Sequence, residues 1–222
     1  MRLMITRSKN EGISTGVRRI QSNVRSLTGI VNGQEFESSL ERDLLMLAHW
    51  DNEVEWYQSQ PVKIDYIDSL GNARNYTPDL LISFKTAQTK PLLCEVKYRK
   101  EYAKKWKEIK PKFRAGKAYA KANGYEFRVF TEREIRTNYL KNIQFLWRYR
   151  IDQPYPEHQQ TLMAALSKMG DSDPNTLLDA CCTTKTQRGE AMWTLWYLIA
   201  NEVIQCDLRQ PLTMQTQIWI DS

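Results

Sequence analysis

Two acidic side chains and one amine draw attention by type and spacing. Asp79 heads one apolar run, and Glu95 and Lys97 end another, within "YTPDLLISFKTAQTKPLLCEVK". If residues 80–84 and 91–97 are strands joined by the polar turn "KTAQTK", the second folds back on the first and brings residue 79 beside residues 95–97. Strand alternation then sends Glu95 and Lys97 to one face and Val96 to the other. Carboxylates a few ångströms apart repel, and one tends to stay protonated unless a cation compensates. A divalent metal removes that conflict. Asp79, Glu95 and the backbone carbonyl of Val96 are hard oxygen donors of the kind Mg²⁺ takes, and they leave waters on the ion. The chemistry that follows is phosphodiester hydrolysis, with Lys97 orienting or helping to deprotonate the attacking water and offsetting charge on the phosphorus. A two-ion version, in which Mn²⁺ can replace Mg²⁺, needs a third carboxylate, and Glu41 on the preceding helix is its natural donor.

The elements that must position these groups are legible in outline. Residues 34–50 place Phe36, Leu40, Leu44, Leu45, Leu47 and Ala48 on one side of a helix, with Ser38 or Ser39 as cap and Glu41 in its first turns. "VKIDYID" alternates as a strand, "SLGNAR" turns, and "DLLISF" and "PLLCEVK" complete a three-stranded meander. Pro111 then splits a basic helical stretch, so that a short helix ends by Lys110 and a second opens at Pro111 and closes near Asn123 and Gly124. "YEFRVFT" is a further strand. The order predicts a mixed sheet flanked by helices, and the charged triad has the form PD-x(n)-(D/E)-x-K. Met separately, "PD" is more often a turn and "ExK" an exposed ion pair; their union across strand, turn and strand points to chemistry.

Composition bounds the rest. The chain has 222 residues, 41% hydrophobic and 26% charged, with a net charge of +6, enough for one ordinary domain and a smaller second one. Its longest apolar runs reach about half of the roughly 20 residues that a membrane span needs, and the N-terminus lacks the apolar centre of a secretory signal. A cytoplasmic protein is expected. Cys94, Cys181, Cys182 and Cys206 show no CxxC spacing and read as reduced thiols. Between Lys97 and Lys121 stand Lys100, Lys104, Lys105, Lys107, Lys110, Lys112, Arg114 and Lys117, against only Glu101 and Glu108 as acids. That density suits a polyanion such as DNA. Tyr102, Trp106, Ile109 and Phe113 recur at helical steps and read as a buried stripe, with the lysines facing outward. Residues 1–33 are basic, with Glu11 as the only acid, and read as a mobile or partner-ordered arm.

Several segments together resemble the TnsA family, the restriction-enzyme-like endonucleases of heteromeric cut-and-paste transposons of the TnsABC type, some of them CRISPR-associated. They are "FESSLERDLLML", "VEWYQSQPVKIDY", "YTPDLLI", "CEVKYR" and "KFRAGKAYAKANGYEFRVFTEREI", in order over about residues 35–135. The resemblance implies a PD-(D/E)xK core with Glu41, Asp79, Glu95 and Lys97 as catalytic residues. Glu37, one turn before Glu41, is the rival third carboxylate, and Glu41 is favoured by the "LERD" match. Gln60 matches a recurring glutamine, either an accessory to the site or a turn and packing residue. The implied activity is Mg²⁺-dependent cutting of the 5′ strands at transposon ends in bacteria, beside a DDE-type, TnsB-like transposase that cuts the 3′ strands.

Residues 34–140 are thus expected to form the nuclease domain and residues 141–222 a separate module. "EHQQTLMAALSKMG", "DPNTLLDACC" and "TQRGEAMWTLWYLIANEV" read as helices, and "IQCDL" with "QTQIWI" as a terminal hairpin. Three helices and a hairpin describe a winged helix. From Asp152 onward its only Lys and Arg are Lys168, Lys185, Arg188 and Arg209, so docking suits it better than DNA reading. The family resemblance implies an AAA+ ATPase regulator, TnsC-like, as the partner. Two other readings are a restriction or repair nuclease that cuts alone, and a non-catalytic assembly subunit.

Overall fold

The computed structural model describes residues 29–31, 33–150 and 154–221. The basic arm expected over residues 1–33 therefore lies outside the described residues, except for its end. There Gly29–Val31 is a strand, β1, paired antiparallel with β2 (Gln34–Phe36). Because β2 occupies the residues read as the start of a helix, α1 begins later, at Ser39, and runs to Trp50. Ser38 is its cap, its hydroxyl accepting the Glu41 N–H at 3.2 Å, which satisfies one of the amides a helix start leaves free. Leu40, Leu44, Leu45, Ala48 and Trp50 are buried on one side.

The chain divides into two compact units, the first ending at Ile135 and the second beginning at Arg136. In the first, β3 (Val54–Ser59), β6 (Leu80–Phe84), β7 (Leu92–Val96) and β8 (Glu126–Phe130) form one mixed sheet in that order. The first three pair antiparallel and β8 pairs parallel to β7. The segment "VKIDYID" is not a strand of this sheet: β4 (Ile64–Ile67) pairs with β5 (Ala73–Tyr76) as a separate hairpin. The chain leaves the sheet at Gln60, whose φ of 47° turns it away, and Pro61 follows with no N–H to extend a ladder.

A parallel β7–β8 pair requires a crossover, supplied by α2 (Arg99–Lys104) and α3 (Trp106–Ala122). The helices break at Lys105, and Pro111 lies inside α3 instead of opening it. Proline there removes one helical hydrogen bond, to the Lys107 carbonyl; Lys107 is exposed, so water can replace the missing donor. The expected stripe is buried only at Phe113. Tyr102 and Ile109 are half-buried, and Trp106 remains 41% exposed. The buried face of α3 is instead Phe113, Gly116 and Ala120. Ile64, Tyr76, Leu81, Leu93 and Ala120 share one core. After β8, α4 (Glu132–Ile135) ends the unit.

The second unit contains α5 (Asn138–Leu146), a 3₁₀ turn (Trp147–Arg150), α6 (Pro156–Met169), α7 (Pro174–Cys181) and α8 (Lys185–Ala200). Asp173 caps α7 and Pro174 is its first residue, as its sequence predicts. The expected terminal hairpin, β10 (Gln205–Cys206) with β11 (Ile218–Trp219), gains a third strand, β9 (Asp171–Ser172), which pairs with β11. Buried Asn142 holds the loop between β10 and β11: its amide donates to Leu208 and Gln210 carbonyls at 2.8 and 2.7 Å and accepts the Leu212 N–H at 3.2 Å. Asn142→Ala is expected to cost about 2 kcal/mol, since it strands three main-chain groups. Faster hydrogen exchange in α5 and this loop would register the loss; unchanged protection would contradict it. All four cysteines are free thiols, and only Cys94 is buried. No helix of the described residues is long and apolar enough to cross a membrane.

Candidate active site

Asp79 stands immediately before β6 and faces the end of β7. Its N–H donates to the Cys94 carbonyl at 3.0 Å, and its Oδ2 accepts the Val96 N–H at 2.6 Å. This clamp locks Asp79 to the strand that carries Glu95. Glu95 is 1% exposed, and burial raises its pKa, with the Asp79 charge adding to the effect and Lys97 and Lys112 opposing it. Lys97 Nζ lies 3.2 Å from Glu95 Oε1 and 3.8 Å from Asp79 Oδ2, and it donates to the Val96 carbonyl at 2.9 Å. Burial alone would lower the Lys97 pKa, but the Asp79 and Glu95 charges outweigh it and hold the amine protonated. The two carboxylates and the amine thus converge at one sheet end.

Glu41 comes to the same place from α1. Its Oε2 accepts the Glu37 N–H and its Oε1 the Ser38 hydroxyl, both at 2.8 Å, so the carboxylate also secures its own helix start. With Asp79, Leu80 and Val96 it lines a cleft of about 10 Å³, at the lower limit of the free space that holds one water. Burial, then the Asp79 charge, push the Glu41 pKa from 4.5 up to about 7, against the pull of the Glu37 N–H, Ser38 and Lys97. Glu37 is held apart: Gln60 Nε2 donates to its Oε1 at 3.1 Å. Gln60 N–H also donates to the Asp79 carbonyl at 3.0 Å. Gln60 therefore braces the site through the backbone, while its own buried Oε1 has no hydrogen-bond partner.

The raised Glu41 value sets a pH dependence. Between 4.5 and about 7 the folded protein holds a proton that the unfolded chain has released, so this contribution to stability is full below 4.5 and is lost as pH rises through about 7. In chelator, the melting temperature is expected to fall from about pH 5 to about pH 8, while stabilisation by added Mg²⁺ grows over that window. Glu41→Gln should flatten both trends. Melts that do not respond to this substitution would deny Glu41 the role.

The lysine run separates into two groups. Lys100, Lys104, Lys105, Lys107, Lys110, Arg114 and Lys117 are exposed on α2, α3 and the break between them. Lys107, Lys110 and Arg114, with Tyr66 and Ile67 of the hairpin opposite, line an open groove of about 450 Å³. Lys112, expected to face outward with them, turns inward, because it borders the face of α3 that buries Phe113 and Gly116. Its side chain is 19% exposed and its Nζ lies 2.7 Å from Glu95 Oε1. Sequence reasoning missed this contact; the small-residue helix face next to Lys112 was the available signal.

The donor set fits a hard cation held by few protein ligands. Among the described residues no three His, Cys, Asp or Glu side chains gather as a ready cage, and Mg²⁺ needs none, since it is usually bound by one or two carboxylates and keeps several waters. Glu95 supplies the local sign of an unmet need. Both ammonium groups meet Oε1, at 3.2 and 2.7 Å, whereas the buried Oε2 has, among the described residues, neither a cation at ion-pair distance nor a hydrogen-bond partner.

A mixed α/β unit that gathers acids and an amine at one sheet end, and that also carries a groove lined by lysines, has the makings of a DNA endonuclease, and comparison with known families agrees. Residues 51–132 match the family model of the TnsA-like endonuclease N terminal, and residues 134–208 that of the TnsA endonuclease C terminal. The chain belongs to the TnsA family of transposition endonucleases. No curated protein matches it in sequence.

Proposed function

We propose that this chain cuts the 5′ strands at transposon ends by Mg²⁺-dependent hydrolysis, with a PD-(D/E)xK nuclease core in the first unit, which ends at Ile135, and a winged-helix-like docking domain in the second, which begins at Arg136. The observation that carries the proposal is the convergence of Asp79, Glu95 and Lys97 at neighbouring strand ends in a member of this family. Asp79, Glu95 and the Val96 carbonyl would hold Mg²⁺, with Glu41 serving a second ion. Bound there, the metal would supply charge stabilisation at the phosphate and make a water acidic enough to lose a proton and become the nucleophile. Asp79 is kept in register by the Val96 N–H. Lys97 offers its ammonium to the phosphate oxygens as water attacks phosphorus and the bond to the leaving sugar oxygen breaks; the water gives up a proton to solvent and the sugar oxygen takes one from solvent, leaving a hydroxyl. Gln60 fixes the backbone of Asp79. The exposed lysines and Arg114 take the DNA backbone without reading sequence, as phosphate contacts do.

A separate DDE-type transposase would cut the 3′ strands, and an AAA+ ATPase would dock on the second domain, whose sparse positive charge suits a protein partner. Strand-resolved cleavage of labelled transposon-end DNA by the chain with its cognate transposase and ATPase tests the scheme. The expected result is 5′-strand cutting that needs both this chain and Mg²⁺, with 3′ cuts still made when the chain is omitted. Cutting of 5′ strands in its absence would leave it a non-catalytic assembly subunit, and efficient cutting by the chain alone would make it a stand-alone nuclease.

A further inference from the structure

Lys112 differs from every other cation of its run in what surrounds its charge. The neighbouring Lys107, Lys110, Arg114 and Lys117 are exposed to water, whereas the Lys112 ammonium is enclosed by protein groups. On one side it meets Glu95 Oε1 at 2.7 Å. On the other it lies over the Tyr76 ring, 4.9 Å from the centroid, and 5.7 Å from the centroid of Phe113, a placement that favours a cation. The approach of α3 makes this reach possible: at Gly116 a Cβ would lie 2.0 Å from the Tyr76 hydroxyl and 2.7 Å from the Phe127 ring, so only glycine allows the helix so close. Glu95, 1% exposed, could not keep a charge there without compensation.

We infer that Lys112 is a positioning residue of the active site, an internal cation that holds Glu95 in the ion-free protein and competes with the divalent ion for that carboxylate. The inference rests on the metal site proposed above. It reassigns Lys112 from phosphate contact to the control of Glu95. A divalent ion arriving at Glu95 meets a positive charge already ion-paired with its ligand, and the mutual repulsion lowers affinity. When the ion is absent, the same ammonium keeps the buried carboxylate compensated. Lys97 shares Glu95 Oε1 at 3.2 Å, but it also faces Asp79; Lys112 faces Glu95 and two aromatic rings.

The test is Mn²⁺ titration of the full chain, read by the electron paramagnetic resonance signal of the free ion, for wild type, Lys112→Met and Lys112→Arg. Methionine keeps much of the apolar stem against Tyr76 and removes the charge. The expected result is Mn²⁺ binding about tenfold tighter in Lys112→Met and near wild type in Lys112→Arg. In chelator the Met variant should melt below wild type, and saturating Mn²⁺ should close that gap. If Lys112→Met binds Mn²⁺ no tighter than wild type, the inference is overturned while the metal site stands. If neither wild type nor Lys112→Met binds Mn²⁺, the proposed metal site fails first and the inference falls with it. Should Lys112→Met not fold in chelator, Mn²⁺ is expected to restore its fold; continued unfolding beside a folded Lys112→Arg would make Lys112 a packing residue only.

Discussion

Asp79→Asn is expected to reduce 5′-strand cutting by about 10³-fold and to leave thermal stability nearly unchanged. The asymmetry follows from the two tasks that Asp79 performs. Its Oδ2 accepts the Val96 N–H at 2.6 Å, and an asparagine carbonyl can accept the same bond, so the clamp between the head of β6 and the end of β7 survives. What disappears is the negative charge that would draw a divalent ion and that faces Lys97 Nζ at 3.8 Å. Asp79→Ala would lose both, which makes it the less informative change. The measurement is strand-resolved cleavage with the transposase and ATPase present, alongside melting in chelator and in Mg²⁺. The Asn variant should also lose most of the Mg²⁺-induced rise in melting temperature. An Asn variant that still cuts 5′ strands would reduce Asp79 to a backbone clamp.

The second large effect falls on folding. Gly116→Ala is expected to destabilise the first unit by about 3 kcal/mol, because the added Cβ would stand 2.0 Å from the Tyr76 hydroxyl and 2.7 Å from Phe127 Cε2. Neither neighbour can easily yield: Tyr76 is 8% exposed and shares the core with Ile64, Leu81, Leu93 and Ala120, against which Phe127 also packs. The Tyr76 hydroxyl is itself buried without a hydrogen-bond partner, so Tyr76→Phe should be neutral or stabilising by about 1 kcal/mol. In the double variant it should recover part of the loss, the remainder being the Phe127 clash. Hydrogen exchange at β7 and α3 amides reads this unit alone and supplies the double-mutant cycle. Strict additivity of the two changes would show that the hydroxyl and the Cβ do not meet.

Some of this site was legible because strand geometry is strict. Once "DLLISF" and "PLLCEVK" are strands joined by a short turn, Asp79, Glu95 and Lys97 have almost nowhere else to go. The observed Leu80 to Cys94 register places Asp79 beside Glu95 accordingly. β3 escaped notice because a register shift between Val54 and Trp56 spoils the alternation by which a strand is recognised. "VKIDYID" reads as a strand of the main sheet because nothing in "SQPVK" reveals that Gln60 takes a left-handed φ, and β5, its true partner, begins inside the segment read as the turn "SLGNAR". Pro111 misled because a proline five residues into a helix and one at its start look alike when read locally. Lys112 was the least legible, since chemistry does not distinguish it from the lysines around it. Its environment depends on the rotation of α3, and the small side chains at Gly116 and Ala120 fix that rotation by close packing.

The parallel pairing of β7 with β8 has a consequence for how the polypeptide is made. β7 can join β6 as soon as it is synthesised, but its other edge must wait for β8, about 30 residues later. At about 5–20 residues per second of synthesis, that edge stays open for roughly 2–6 s. An open strand edge invites pairing with other chains. The nascent segment that fills this interval is the lysine-rich stretch of α2 and α3, and charges flanking an open strand are the kind of feature that disfavours pairing between chains. The same charges that suit a DNA backbone in the finished protein thus flank the one edge of β7 that closes last.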